Sequence, residues 1–337
     1  MTKWSVAHRL AHMAAMRTLD DAGQPADRRT DVAALISAAN LRALADPEAE
    51  RLFGLYIPPT QTHPGGIWIN AAMPPSTQRH SAAHELGHHV FNHGLTCDTD
   101  FASLSATPAT STLTETTAEA FAAWLLMPRA ALVRTLRLLN IKPGDLRPEH
   151  VYLTGLMLGT SYRGTARHLG VARIIEPRAA TALARTAPAA IKNRFDDPTA
   201  PPRSGDADVW PLQRLVGCGE LTLHHGDRLV LPATADAAAE GLIADDVAQF
   251  VHQSFTSIVL SATAAPDRNG AVRRHLLSLA GDDGGLQVSV ESGPVRPRAR
   301  RAVPNVANVN SEADLDLLLA QQQAQRVASA AGEDPCV

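Results

Sequence analysis

Arg79-His80-Ser81-Ala82-Ala83-His84-Glu85-Leu86-Gly87-His88-His89-Val90-Phe91-Asn92-His93-Gly94 is the stretch on which the fold turns. On a helix, His84 and His88 stand one turn apart on one face, so both imidazoles reach a single cation while Glu85 projects beside them. Ala82, Ala83, Leu86, Gly87, Val90 and Phe91 fill the places between, as in a helix buried within a domain and carrying its imidazoles inward. A surface helix that happens to hold several histidines explains the pattern less well. A buried His or Glu without a partner is costly, and a metal supplies the partner. Gly94 reads as the residue that ends the helix, with His93 beside it placed to serve the helix dipole.

Zinc in such a setting takes three protein ligands and keeps a fourth position for water, whose pKa falls to about 7 on the metal. Glu85 is placed to take that water's proton as the catalytic general base. This is the zincin arrangement, and the third ligand decides its type. A metzincin carries Gly three residues after the second His and a further His six after it; Phe91 and Gly94 stand there instead. Downstream, residues 113–128 form a second helical run closed by Pro128. Glu115 and Glu119 lie one turn apart on one face of it, so Glu115 can ligate while Glu119 accepts a hydrogen bond from a ligand's other nitrogen. Ala118, Phe121, Ala122 and Leu125 surround the same side, which argues against two solvated glutamates.

His84-Glu85-Leu86-Gly87-His88 together with Glu115-x-x-Ala118-x-x-Phe121-Ala122-Ala123-x-Leu125-Leu126-Met127-Pro128 resembles the ImmA/IrrE metallopeptidases, gluzincin-like enzymes with a His, His, Glu site. The second motif is the more specific, and the resemblance covers about residues 30–195. Glu119 departs from it, since the family more often has Asn or Asp there. The resemblance implies a zinc endopeptidase with one Zn2+ per chain held by His84, His88 and Glu115. It also implies a protein substrate, typically a helix-turn-helix transcriptional repressor, cleaved to derepress stress-response or mobile-element genes.

At 337 residues and 45% hydrophobic content the chain can build two domains. Its net charge of −3 gives no bulk electrostatic grip on nucleic acid or an anionic membrane. The Ala-, Met- and His-bearing pattern of residues 1–21 is not a signal peptide, and no apolar run approaches the ~20 residues of a membrane span. A cytoplasmic protein is expected, and the widely spaced Cys97, Cys218 and Cys336 suit a reducing compartment. Cys97 reads as an ordinary loop residue in preference to an inhibitory thiolate on the zinc.

The expected fold is α+β: a zincin-like, mostly helical metallopeptidase domain with a small β-sheet, then a β-rich second domain and a C-terminal helix. The boundaries fall at 1–195 (core 30–140, helical subdomain 141–195), a linker at 196–208, a β-rich sensing or partner-binding domain at 209–295, and a basic linker with a helix or tail at 296–337. Residues 1–19 form a first helix with Val6, Leu10 and Met13 on its apolar face, and a second helix starts at Asp31. Residues 51–57 and 66–70 read as strands. In zincins an edge strand holds extended substrate by main-chain pairing; residues 65–70 are assigned to that edge, and Gly66, Ile67, Trp68 and His93 to substrate binding.

Residues 159–171 have the outline of a helix-turn-helix, although the resembling family uses a similar run for packing, so nucleic acid is the less favoured partner. In the second domain, residues 221–231 read as a hairpin turning at Gly226-Asp227. Residues 257–261 and 286–290 read as further strands, and 244–253 as a helix. The competing functional reading is a regulatory binding protein that keeps the zincin scaffold to sense a ligand or bind DNA.

Overall fold

Ala7, Ala11, Ala15 and Leu19 recur every fourth residue and form the buried face of the first helix, α1 (Lys3–Asp21). The larger apolar stripe expected to face the core does not: Val6, Leu10 and Met13 are 40%, 53% and 69% exposed. The computed structural model describes residues 3–46, 53–94, 96–98, 113–215, 217–263, 273–277 and 286–291, and in it α1 packs chiefly on α4 (Leu113–Leu126). Small side chains win this face because they let the two helices lie closer than Leu or Met would.

Helix α2 (Val32–Ala38) starts where the Asp31 carboxylate accepts the Ala34 N–H at 3.0 Å. It leads into β1 (Arg42–Asp46), followed by β2 (Gly54–Ile57), β3 (Gly66–Asn70) and, after the helix α3 (Pro75–Val90), β4 (Thr96–Asp98). The sheet order is β1-β3-β2-β4. This corrects the assignment of residues 65–70 to a substrate-binding edge. β3 pairs with β1 in parallel and with β2 antiparallel, so both its sides are taken, and Ile67 and Trp68 are buried. Gly66, Ile67 and Trp68 therefore offer no free edge. The sheet ends instead at β1 and at β4, which is antiparallel to β2.

α3 lies against β2 and β3 and also along α4. Its contact with α4 is close because Gly87 has no side chain. A Cβ there would meet Phe121 Cδ1 at 3.0 Å and the Ala118 Cα at 3.2 Å.

Four more helices follow the loop after α5 (Arg129–Leu138): α6 (Pro148–Leu158), α7 (Tyr162–Val171), α8 (Pro177–Ala184) and α9 (Pro188–Phe195). All four lie within residues 141–195. Three of them begin with proline, whose missing N–H costs nothing in a first turn. Between α6 and α7 the chain turns at Gly159, which is left-handed (φ 65), and Ser161 caps α7 by accepting the Gly164 N–H. α7 buries Tyr162, Thr165, Ala166 and Leu169 and leaves Arg163 and Arg167 exposed. His168, also buried, donates its Nε2–H to the Met127 carbonyl at 3.0 Å and meets the Trp124 ring edge-on. Burial pushes the His168 pKa down to about 3, against the Met127 hydrogen bond, which acts the other way.

The remaining strands are β5 (Val209–Pro211), β6 (Glu220–His224), β7 (Arg228–Pro232), β8 (Ala248–Gln253), β9 (Ser257–Ala262), β10 (Arg273–Leu277) and β11 (Leu286–Glu291), with α10 (Asp236–Ala244) after β7. They form two sheets, β5-β7-β9-β8 and β10-β11-β6. The expected hairpin of β6 and β7 is overturned. The chain does turn at Gly226 (φ 87), but β6 pairs with β11 while β7 pairs with β5 and β9. The buried Asp227 carboxylate fixes this divergence by accepting the Asp208 N–H, the Trp210 Nε1–H and the His224 N–H at 2.9–3.0 Å.

The helix expected at 244–253 is likewise corrected. α10 stops at Ala244, Asp246 turns left-handed (φ 53), and 248–253 pairs with β9 as a bulged strand. The expected C-terminal helix and the basic run 294–301 lie outside the described residues.

Residues 1–296 hold together as one unit, and a continuous apolar core runs from Ala11 to Val288. Residues 196–208 are fastened on both sides. Arg228 donates to Asp196 at 2.9 Å and to the Pro201 carbonyl, and Asp197 accepts from Ser254 at 2.5 Å and Ser257 at 2.6 Å.

Two outcomes are expected. Gly87→Ala should destabilise the protein by about 1–2 kcal/mol in a thermal melt, since overpacking at Phe121 and Ala118 outweighs the helix propensity that Ala adds. His168 binds a proton readily only when unfolded, so the stability its neutral ring provides is complete above its ordinary pKa of 6.5 and declines as pH falls towards its folded value of about 3. Between pH 7 and pH 5 the parent should therefore lose on the order of 1–2 kcal/mol more stability than His168→Gln, read as a larger fall of its thermal midpoint.

Candidate active site

The period of α3 puts His84 and His88 on one face, and the close approach at Gly87 brings Glu115 of α4 to them. His84 Nε2 and His88 Nε2 lie 3.0 Å apart, and Glu115 Oε2 lies 3.3 Å from the first and 3.7 Å from the second. Ligand atoms around one tetrahedral zinc stand roughly 3.3 Å apart, given Zn–N and Zn–O bonds near 2.1 Å. The two imidazoles and the carboxylate therefore fit such an ion in both chemistry and spacing. Among the described residues they form the one group whose donor atoms all fall within 4.8 Å of one another. His84 is 2% exposed, Glu85 1% and His88 0%. Hydrogen bonding to His84 first, and to His88, holds the Glu115 carboxyl far below the usual carboxylate range.

The outer nitrogens of both imidazoles are also engaged. His84 Nδ1 lies 3.6 Å from Glu119 Oε2, whose carboxylate also meets His80 Nε2 at 2.8 Å. Burial opposes ionisation of Glu119, but the adjacent His80 and His84 outweigh it, so its carboxyl too stays below the ordinary range. The role expected of Glu119 is thus geometrically open to it, and His80 joins it. His88 Nδ1 lies 2.9 Å from His93 Nδ1.

His93 was expected to meet substrate; instead the helix ending places it against a ligand. Asn92, not Gly94, takes the left-handed conformation (φ 55), with its N–H on the His89 carbonyl and the His93 N–H on the His88 carbonyl. This double bond pattern is a Schellman turn, and it folds the His93 ring back onto His88. The next imidazole, His89, points elsewhere, its Nδ1 3.0 Å from the Tyr56 hydroxyl.

Spacing in the sequence marked His84, Glu85, His88, Glu115 and Glu119. It missed His80 and the positions of Gly54 and His93, although an Asn directly after the last apolar position was a legible signal for the turn. The Cys97 backbone pairs with Leu55 in β4, and its side chain lies outside what the structure describes. Cys218 is a buried thiol whose pKa burial pushes up to about 11, so it is inert near neutral pH.

Groups that orient a ligand from behind are worth about 10–100-fold in metal affinity. Glu119→Ala and His93→Ala should each weaken zinc binding by that factor in a competition titration against a chromophoric chelator, while His89→Ala leaves it unchanged.

Residues 46–139 match the family model of the IrrE N-terminal-like domain, Peptidase_M78. No curated protein matches the chain. The matched stretch opens at the last residue of β1 and closes just past α5, so it takes in both helices that bear the donor atoms. This match supports placing residues 46–139 with the ImmA/IrrE metallopeptidases.

Proposed function

We propose that the protein is a zinc-dependent metallopeptidase, an endopeptidase of the gluzincin type. The observation that carries the proposal is the convergence of His84, His88 and Glu115 on one point with Glu85 buried beside them. His84, His88 and Glu115 would hold the ion. Once bound, zinc supplies Lewis acidity to a water and to a scissile carbonyl. Glu85 acts as the general base that takes the water's proton and then returns it to the leaving amine, a role worth about 10²–10⁴-fold in rate. Glu119 and His93 keep the ligand rings in place from behind.

The substrate in this proposal is a protein, a helix-turn-helix transcriptional repressor, cleaved in a stress response or in the control of a mobile element. That part is supported by the resemblance of the two motifs to the ImmA/IrrE enzymes. An intact Glu85 favours an active enzyme over a regulatory scaffold, since a scaffold has no use for a buried carboxylate at this place.

Zinc content and cleavage of a repressor encoded by a neighbouring gene form the test, with the parent compared against Glu85→Gln. Both proteins should hold about one zinc per chain, since the three donor residues are the same in both, and only the parent should cleave. A chelator should abolish cleavage and added zinc restore it. Zinc in both proteins with cleavage by neither would favour the scaffold, and zinc in neither would remove the site itself.

A further inference from the structure

Gly54 opens β2, and the backbone there runs directly against the Glu85 carboxylate. A Cβ built on Gly54 would lie 2.2 Å from Glu85 Oε1 and 3.0 Å from both Cδ and Cγ. No side chain larger than hydrogen fits that gap while Glu85 keeps its place. β2 cannot retreat to make room, because Gly54 pairs with Ile69 of β3 on one side and Asp98 of β4 on the other. Gly54 is also not among the glycines with left-handed backbone. Conformational freedom is therefore not what the position requires. Glycine inside a strand weakens the strand, and it commonly marks a place where something approaches the backbone closely.

We propose that Gly54 is a positioning residue for the base: the β2 backbone forms a wall behind the Glu85 carboxylate, and the hydrogen at position 54 sets where that carboxylate stands relative to the donor set. This rests on the reading of Glu85 as the general base. The three atoms nearest to a methyl group at 54 all belong to the Glu85 side chain, so the end of a flexible side chain gives way before the paired sheet does. The donor atoms belong to His84, His88 and Glu115, none of which supplies one of the three atoms nearest to the methyl group. The expected defect is thus a displaced base beside an intact metal site.

The test compares the parent, Gly54→Ala, Glu85→Gln, Glu85→Ala and the double variant Gly54→Ala/Glu85→Ala. Gly54→Ala should bind zinc as the parent does and keep its KM for the cleaved repressor, while kcat falls about 10²-fold, the scale of loss from a misplacement of about 1 Å. In the metal-free proteins, Gly54→Ala should lower the thermal midpoint of the parent but not that of Glu85→Ala, where the clash no longer exists. A purely structural effect of the methyl group would lower both midpoints equally, and that result overturns the inference. So does a parental kcat for Gly54→Ala beside an inactive Glu85→Gln, which leaves the base assignment standing. A Glu85→Gln protein that cleaves like the parent removes the base assignment itself and this inference with it. Failure of both Gly54→Ala and the double variant to fold would show that the sheet, not Glu85, is what the methyl group offends.

Discussion

The contact of Gly87 with Ala118 and Phe121 governs the rest of the site. Gly87 lies between His84 and His88 on α3, and Ala118 lies between Glu115 and Glu119 on α4. One close crossing of two helices therefore sets the register of all four polar side chains at once. With larger residues at the crossing the helix axes would separate, since interaxial distance follows the side chains at the contact. The donor atoms, now 3.0–3.7 Å apart, would separate with them. Gly87 and Ala118 belong to the candidate metal site as much as its three donor residues do.

Bringing imidazoles and carboxylates into an apolar interior is costly, and each here is answered by another polar group. Glu115 meets both ligand rings, Glu119 spans His80 and His84, and His93 meets His88. α1 packs on α4, where the His12 and Trp124 rings lie tilted to one another with centroids 4.2 Å apart and His168 meets Trp124 edge-on at 4.6 Å. His168 works by the opposite device to the ligand set. It is held neutral by burial and spends its one N–H on a carbonyl, so it packs and does not bind.

What the sequence disclosed follows the range of the interactions involved. Helix-borne features were legible because a spacing of four residues is a local property: His84 and His88, and Glu115 and Glu119, appear where their spacing puts them. Sheet neighbours were not legible, because pairing is decided by distant chain. β1 went unnoticed since Arg42–Asp46 lies mostly exposed and shows no apolar alternation, yet its parallel pairing is what makes β3 central. β6 and β7 look like a hairpin locally, and three hydrogen bonds to the Asp227 carboxylate send them to different sheets. The face of α1 was misjudged for a related reason. Hydrophobicity favours Val6, Leu10 and Met13, whereas fit against α4 favours alanine, and in a close helix pair fit decides.

The β-rich half is joined to the helical half by polar groups that neither half could leave exposed to its own apolar core. Tyr152 of α6 donates its hydroxyl hydrogen to Asp208 at 3.0 Å and accepts the Val209 N–H at 2.9 Å. Lys192 of α9 lies 3.1 Å from the same Asp208 and donates to the Ala207 carbonyl at 2.8 Å. Burial pushes the Asp208 carboxyl up while Lys192 pulls it down, and burial also pushes the Tyr152 phenol far above its ordinary range. Removing any one member leaves a buried polar atom without its partner, which typically costs more than the bond itself contributes. The apolar core continues across the same joint through Val209 and Trp210. The β-rich half is thus fixed to α6 and α9 by buried hydrogen bonds and a shared apolar core and is not a module on a flexible tether.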